Sequence, residues 1–312
     1  MTIASLPLPR RAVLAAGVGL AGTAAVSTGG MAAPQVSGLG RSGDDGWAES
    51  GHVDRAGGRI HWGAIGAGPV LVVMPKLGGW MADWLPVARL LAPRYRVVAI
   101  DPPGHGGSTM AGPPPYIQTL PESAALVRAT LEALGITHYA LAGNSLGGCI
   151  AAIMAALFPA DVVRLALVSV ALADRMSASD LAAYDARTGE YDARGMPLPR
   201  AAETMARRFG TTSAINAQMN ASRAAAGLWI RPSERGVFTC GITDYLPRIA
   251  ARTLLVYGKG NEGTYQVFRD RALRLIPQAT SLDVEGAGAF LHQQKPEATA
   301  ALLDRFLSGA QA

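Results

Sequence analysis

The chain has 312 residues, a formal net charge of +5, 49% hydrophobic residues and 16% charged residues. This composition is typical of a globular protein with a large core and excludes an intrinsically disordered chain. The lysines and arginines are scattered, with no basic run and no interleaved aromatic side chains, so we expect no nucleic-acid partner. The length allows one large domain, or a domain that carries an inserted cap.

Residues 1–33 have the pattern of a cleavable signal peptide. Arg10 and Arg11 precede an apolar stretch over residues 12–26, and small residues follow it. The paired arginines and the alanine-rich apolar stretch resemble a twin-arginine signal. The stretch is shorter than the roughly 20 residues that span a bilayer. We therefore expect export to the periplasm or the outside of the cell, and no stable membrane span after the signal is removed.

The rest of the chain begins with a predicted linker over residues 34–50, and short apolar runs then alternate with helical patterns. Residues 60–65 and 70–74 are predicted to form a hairpin-like pair of strands. The elements that follow are a helix over 80–91, a strand over 96–100, a helix over 123–134, a strand over 139–142, a helix over 146–157 and a strand over 163–170. After a polar, helical segment come a strand over 253–257, a helix over 264–275, a strand over 281–284 and a helix over 297–307.

This order predicts an α/β fold with a mostly parallel, doubly wound sheet that is covered by helices on both faces. The core is expected to comprise residues 51–173 and 248–312. Residues 174–247 are then a helical cap, or lid, inserted between two strands of the sheet.

Residues 143–147, G-N-S-L-G, fit the nucleophile-elbow pattern G-x-S-x-G between a predicted strand and a predicted helix. The residues that flank the serine must be small, because the strand and the helix approach each other closely at such a turn. The backbone N–H of Leu146 lies at the start of the helix, where it can stabilise a developing oxyanion. The sequence therefore predicts Ser145 as a nucleophile and Leu146 as an oxyanion donor.

Three further segments support the elbow: D-P-P-G-H-G-G-S at residues 101–108, D-Y-L-P-R-I followed by T-L-L-V-Y-G within residues 244–258, and G-A-G-A-F-L-H at residues 286–292. With the elbow, they resemble the α/β-hydrolase superfamily, in particular its small esterases, lactonases and haloperoxidase-like members. The resemblance runs from about Val53 to Leu307. It implies the α/β-hydrolase fold and a serine hydrolase that acts on a small carboxylic ester or lactone.

The chain departs from the pattern of this superfamily where the catalytic partners of the serine are expected. Ala289 stands where relatives have the histidine base, and Asn261, followed by Glu262, stands where they have the acid. Alanine cannot accept a proton, and asparagine cannot stabilise a cationic imidazole as a carboxylate does. Lys76 lies in the turn that relatives open with His-Gly, and the backbone N–H of Leu77 is expected to be the second oxyanion donor.

Several residues could replace the missing base and acid. His292 lies three residues beyond Ala289, about 5 Å along a helix axis, and would need a rearrangement of one turn. Lys76 could serve as the base of a Ser–Lys pair if desolvation lowered its pKa. Ala289 could also be a substitution of a histidine that the natural protein has. Glu262 or Asp174 would then be the acid.

The apolar cap residues Met205, Phe209, Met219, Leu228 and Trp229 are expected to form a pocket wall or to pack the cap on the sheet. No metal-ligand spacing, phosphate loop or dinucleotide fingerprint occurs, so neither a cofactor nor a metal is predicted. The partner is expected to be a small-molecule substrate or ligand. Two alternatives stay open: a catalytically silent relative that binds a small hydrophobic ligand, and a lyase or isomerase that uses the oxyanion hole and Lys76.

Overall fold

The computed structural model describes residues 36–41, 46–186, 189–259 and 262–309. The predicted signal peptide, residues 1–33, lies outside the described residues. The strands are β1 Val36–Arg41, β2 Glu49–Arg55, β3 Gly58–Ile65, β4 Val70–Met74, β5 Arg96–Ile100, β6 Thr109–Met110, β7 Tyr139–Asn144, β8 Val162–Val168, β9 Arg252–Gly258 and β10 Ala279–Val284. The α-helices are α1 Leu85–Leu91, α2 Leu120–Ala133, α3 Leu146–Leu157, α4 Ala178–Asp185, α5 Ala202–Phe209, α6 Ser213–Ala226, α7 Ile230–Cys240, α8 Glu262–Leu275, α9 Leu291–Gln294 and α10 Pro296–Ser308.

The strands form one sheet in the order β1-β2-β3-β5-β4-β7-β8-β9-β10, with the short β6 beside β3. β1, β2 and β3 pair antiparallel, β3 also pairs antiparallel with β5, and every pair from β5 to β10 is parallel. The central strands are mostly apolar and buried because helices cover both faces of the sheet. The predicted mostly parallel, doubly wound sheet is confirmed.

The predicted hairpin between residues 60–65 and 70–74 is wrong. β5 lies between β3 and β4, and β4 pairs in parallel with β5 and β7. The glycines that suggested a hairpin turn instead let the chain pass close to the segment before β5. Gly66 has φ +84°, and a Cβ there would lie 2.4 Å from the carbonyl oxygen of Tyr95. The chain thus passes tightly against the segment before β5 and enters the interior of the sheet, where the buried, apolar β4 belongs.

The segment predicted as a linker, residues 34–50, also contains strand structure. β1 lies within it and pairs antiparallel with β2, which itself begins at Glu49. An edge strand is held by backbone hydrogen bonds on one side and does not need the apolar alternation that sequence patterns detect.

Two helix layers cover the sheet. On one face α3 packs against α2 and the middle strands, and 11 of its 12 residues are buried, which explains its many small side chains. On the other face α1 and α10 pack together over β4 and β5 with the indole rings of Trp47 and Trp84. A capping box of Thr119 and Glu122 fixes the start of α2.

Helices α4 to α7 connect β8 to β9, within the predicted cap of residues 174–247. The cap contacts the core through glycine positions that tolerate no side chain. A Cβ at Gly104 would lie 2.4 Å from the Trp229 ring, and a Cβ at Gly236 would lie 1.9 Å from the carbonyl oxygen of Gln118. Within the described part of the chain, no helix is both long and apolar enough to cross a membrane.

Candidate active site

Ser145 forms a strained elbow between β7 and α3, with φ 50° and ψ −115°. A non-glycine residue in this region of backbone conformation costs on the order of 1–3 kcal/mol. The turn closes only because its flanking residues are glycines: a Cβ at Gly143 would lie 2.4 Å from the carbonyl carbon of Gly147. Gly147 N–H donates to the carbonyl oxygen of Pro75 at 3.0 Å and so ties the elbow to the end of β4.

Asn144 anchors the elbow from the other side. Its buried Nδ2 donates to the carbonyl oxygens of Val168 at 2.8 Å and of Ala289 at 3.1 Å. Position 289 therefore lies beside the elbow, where a side-chain base could reach the serine in relatives. The sequence pattern of the elbow gives no sign of this role, although Asn144 directly precedes Ser145.

The predicted nucleophile and both predicted oxyanion residues open onto one cavity of about 530 Å³, which Ser145, Leu77 and Leu146 line together. Leu146 is the first residue of α3, so its N–H has no partner within the helix and remains available to an oxyanion. Leu77 follows β4 in a tight turn closed by the N–H of Gly79, which donates to the Lys76 carbonyl oxygen at 2.8 Å. The arrangement can place two backbone donors around the oxygen of a carbonyl that Ser145 attacks.

Lys76 lines the same cavity but is only 3% exposed. Its ammonium contacts the Asp83 carboxylate, donates to Gln293 Oε1 at 3.3 Å and lies 5.5 Å from the centroid of the Phe290 ring. Burial raises the pKa of Asp83, and the Lys76 charge opposes this rise. The Lys76–Asp83 pair lies at the cavity wall. Because both groups are buried, their surroundings disfavour separation of the two charges.

The structure does not place His292 in this cavity. The side chain is fully buried and stacks on the Trp84 ring, with centroids 4.6 Å apart and planes 26° apart. Neither ring nitrogen has a hydrogen-bond partner among the described residues. Burial, reinforced by the Lys76 charge, lowers the pKa of His292 well below its usual value, so the imidazole is neutral. The short helix α9 directs it into the core on the Trp84 side of the sheet.

The structure places the proposed acid Asp174 at the protein surface. Asp174 has a side chain that is 64% exposed, and it accepts hydrogen bonds from Thr243 Oγ1 at 2.8 Å and Arg271 Nη1 at 2.5 Å. It does not line the Ser145 cavity. Asn261 lies outside the described residues, and Glu262 begins α8. Ala289 is buried against Met205, Met219 and Phe290, where its methyl group offers no acid–base chemistry.

The cap side of the cavity is more polar than the sequence suggested. Phe209 and Met219 line it as expected, whereas Leu228 is 44% exposed and Trp229 packs on Gly104. The remaining cap residues in the lining are Tyr184, Glu190, Tyr191, Arg200, Arg208, Arg223, Arg231, Glu234, Val237 and Phe238. The expectation of an apolar wall is corrected: charged and phenolic side chains dominate it.

The fold and the elbow define the class of protein. A family model described as the alpha/beta hydrolase fold matches residues 69–214, from the start of β4 into the cap. The sheet order, the strained Ser145 turn and this match agree: the chain has the α/β-hydrolase fold and is similar to the proteins of that superfamily.

Two curated relatives match shorter segments. One, the dihydrolipoyllysine-residue acetyltransferase component of the acetoin cleaving system of Pseudomonas putida, is 37% identical over 118 residues, which are 37% of this chain and 31% of that protein. Another, described as a carbamate hydrolase of Shigella dysenteriae, is 35% identical over 101 residues, which are 32% of this chain and 44% of that protein. The matched segments thus span less than half of the length of these relatives.

Solved structures match more of the chain. A bacterial membrane phospholipase A has a TM-score of 0.67 and 27% identity, with 85% of this chain and 87% of that chain covered. Est816, an enzyme that degrades N-acyl homoserine lactones, has a TM-score of 0.66 and 25% identity, with 82% of this chain and 99% of that chain covered. Carboxylesterase CesB from Bacillus subtilis has a TM-score of 0.67 and 24% identity, with 84% and 92% covered. A phospholipase A, a carboxylesterase, a lactone-degrading enzyme and a carbamate hydrolase are therefore among the proteins to which this chain is similar.

Proposed function

We propose that this protein is a serine hydrolase that cleaves a small carboxylic ester or lactone through Ser145. The observation that carries the proposal is the strained Ser145 turn at a cavity that Leu77 and Leu146 also line. Strain of this kind persists only where surrounding structure holds it, and here it directs a hydroxyl into the cavity. The esterases and lactone-degrading enzyme among the structural relatives support the same substrate class.

Lys76 is the base in this proposal. It lines the Ser145 cavity, which His292 and Asp174 do not. A lysine accepts a proton only as the neutral amine. In the proposed mechanism the buried Asp83 carboxylate, which contacts Lys76 directly, takes up the proton that the amine must first lose. Gln293 Nε2 and Gln218 Nε2 donate to Asp83 Oδ1 at 3.2 Å and 3.5 Å and keep the carboxyl group oriented.

The reaction then proceeds in two balanced halves. Ser145 Oγ bonds to the carbonyl carbon, its proton passes to Lys76 Nζ, and the Leu77 and Leu146 N–H groups bind the negative carbonyl oxygen. The protonated Lys76 gives this proton to the leaving oxygen as the ester bond breaks, which leaves an acyl group on Ser145. Water repeats the attack with its proton passing to Lys76, and the acid is released as Ser145 regains a proton.

A fluorophosphonate probe tests the nucleophile directly. We expect intact mass analysis to show one probe on the protein and none on Ser145→Ala. A wild-type protein that stays unlabelled under conditions that label another serine esterase contradicts the proposal.

Ester kinetics test the base. We expect Lys76→Met to lower kcat by about 10²- to 10⁴-fold, the usual contribution of a positioned base, with a small change in KM. Lys295→Met, at an exposed lysine, is the matched control. Restoration of labelling by Ala289→His in a protein that otherwise fails to label would show that the chain lacks a base and would refute the assignment of Lys76.

We also propose that the protein is exported by the twin-arginine route, on the pattern of Arg10, Arg11 and the apolar stretch that follows. Arg10→Lys with Arg11→Lys is expected to retain the precursor in the cytoplasmic fraction. Equal amounts of processed protein from both forms would contradict this route.

A further inference from the structure

The cavity wall formed by α6 contains a buried arginine, Arg223, and two of its guanidinium nitrogens have no hydrogen-bond partner among the described residues. Arg223 is 4% exposed and lines the cavity together with Ser145. Its Nε and Nη2 atoms are buried and have no hydrogen-bond partner among the described residues. These two nitrogens present their N–H groups along one edge of the guanidinium, and this edge holds a carboxylate through two parallel hydrogen bonds.

Neighbouring carboxylates do not fill this edge. Glu190 Oε2 lies 3.5 Å from Arg223 Nη2, but it already accepts from Arg200 Nε at 3.2 Å and Nη2 at 2.9 Å. Glu234 accepts hydrogen bonds from the hydroxyls of Tyr184 at 2.6 Å and Tyr191 at 3.0 Å. Folded proteins rarely leave buried charged N–H groups without a hydrogen-bond acceptor. The two N–H groups of this edge therefore favour binding of an anionic group from outside the chain.

The position of Arg223 connects this edge to the reacting centre. Its aliphatic stem packs on Gly78, where a Cβ would lie 2.8 Å from Arg223 Cγ. Gly78 directly follows Leu77, the residue that supplies an oxyanion donor. Four arginines and two carboxylates line the cavity, namely Arg200, Arg208, Arg223 and Arg231 with Glu190 and Glu234. An anion in the cavity therefore meets an excess of positive charge.

We propose that the Nε–Nη2 edge of Arg223 binds a carboxylate of the substrate, so that the cavity takes esters or lactones that carry a carboxylate a few bonds from the reacting carbonyl. The assignment of the ester or lactone group rests on the proposed hydrolase function. The assignment of the carboxylate does not, because binding at Arg223 needs no chemistry at Ser145. The two oxygens of a carboxylate can accept the two parallel hydrogen bonds that this edge offers.

A matched pair of esters tests the proposal by calorimetry on Ser145→Ala, in which no turnover occurs. Monomethyl glutarate has a free carboxylate, and dimethyl glutarate has the same chain without it. We expect the monoester to bind about 10- to 100-fold more tightly, as is typical of a buried charge-assisted pair of hydrogen bonds. Arg223→Met should abolish this preference, Arg223→Lys should restore part of it, and Arg274→Met, at an exposed arginine, should leave it unchanged.

Equal binding of the two esters, or a preference that survives Arg223→Met, overturns the carboxylate proposal. Displacement of monomethyl glutarate by inorganic phosphate at equal concentration also overturns it, because the site would then be a general anion site. The melting temperatures of the variants show whether each is folded. If Arg223→Met does not fold, the comparison rests on Arg223→Lys, which keeps the charge and loses the two-donor edge.

The same compounds separate this proposal from the hydrolase function. If the wild-type protein binds the monoester through Arg223 but hydrolyses neither ester, the hydrolase proposal fails and the carboxylate site stands. If it hydrolyses both esters with equal kcat/KM, and Arg223→Met has no effect on the ratio, the carboxylate site fails and the hydrolase proposal stands.

Discussion

His292 provides the sharpest test of how burial, rather than sequence position, determines the role of a histidine. We consider the substitution His292→Phe, which keeps an aromatic ring to stack on Trp84 and removes both unpartnered ring nitrogens. Removal of these buried polar atoms gains about 1–3 kcal/mol each, and the larger ring costs about 1–3 kcal/mol through overpacking. Since two atoms contribute the gain and one ring the cost, the free energy of unfolding near pH 8 should stay about the same or rise by up to about 5 kcal/mol.

The pH dependence changes in a definite direction. The pKa of His292 lies well below its usual value in the folded state because of burial and the nearby Lys76 charge, whereas the unfolded chain titrates near about pH 6.5. The stabilising effect of the neutral ring is complete above the unfolded-state pKa, and it is lost as the pH falls below that value, because only the unfolded chain then takes the proton. One such group changes the free energy of unfolding by about 1.4 kcal/mol per pH unit.

Urea unfolding of the wild type and His292→Phe at about pH 8, 6 and 5 measures this slope. We expect the wild type to lose about 2 kcal/mol more stability than the variant between about pH 6.5 and pH 5. His105, which is also fully buried with a lowered pKa, keeps its own contribution in both proteins and leaves the difference unaffected. Parallel slopes would show that His292 is protonated or solvated in the folded state. Loss of ester hydrolysis by more than about tenfold would identify His292 as part of the catalytic machinery after all.

Three other substitutions follow from the geometry of the cavity. Ser145→Gly should raise the free energy of unfolding by about 1–2 kcal/mol in thermal or urea melts, because glycine tolerates φ 50°; a less stable variant would mean that the elbow is not strained. Gly78→Ala should lower stability by about 1–3 kcal/mol and weaken binding of monomethyl glutarate, since position 78 has φ +67° and its Cβ would meet Arg223; unchanged melting and binding would contradict this packing. Arg223→Met should leave the ligand-free protein as stable or up to about 3 kcal/mol more stable, and a clear drop in melting temperature would assign Arg223 a structural role instead.

Local patterns were sufficient to predict the fold and the serine elbow. The alternation of apolar strands with helices gave the parallel sheet, and the small residues around Ser145 gave the elbow, because both depend on short-range spacing. The hairpin of residues 60–65 and 70–74 was wrong because strand neighbours are chosen by the whole sheet. A glycine-rich turn such as that at Gly66 has the same sequence whether it reverses the chain or lets it cross another segment.

The catalytic partners of Ser145 depended on tertiary structure to a greater degree. The sequence made both His292 and Lys76 candidates for the base. His292 is three residues from Ala289, and Lys76 lies in the turn after β4. Only the packing of α9 on Trp84 directs His292 into the core, and only the turn after β4 brings Lys76 to the cavity that Ser145 lines.

By itself, the sequence determined that this chain folds around a parallel sheet with a serine elbow, and it predicted that Ala289 stands at the position of the usual base. Those properties follow from residue types and spacings of a few positions along the chain. The tertiary structure decided which ionisable side chains share the cavity, and it brought Arg223 of the cap next to Gly78 of the core. Contacts between residues about 150 positions apart leave no local pattern, and the unpaired edge of a buried arginine exists only after the chain has folded around it.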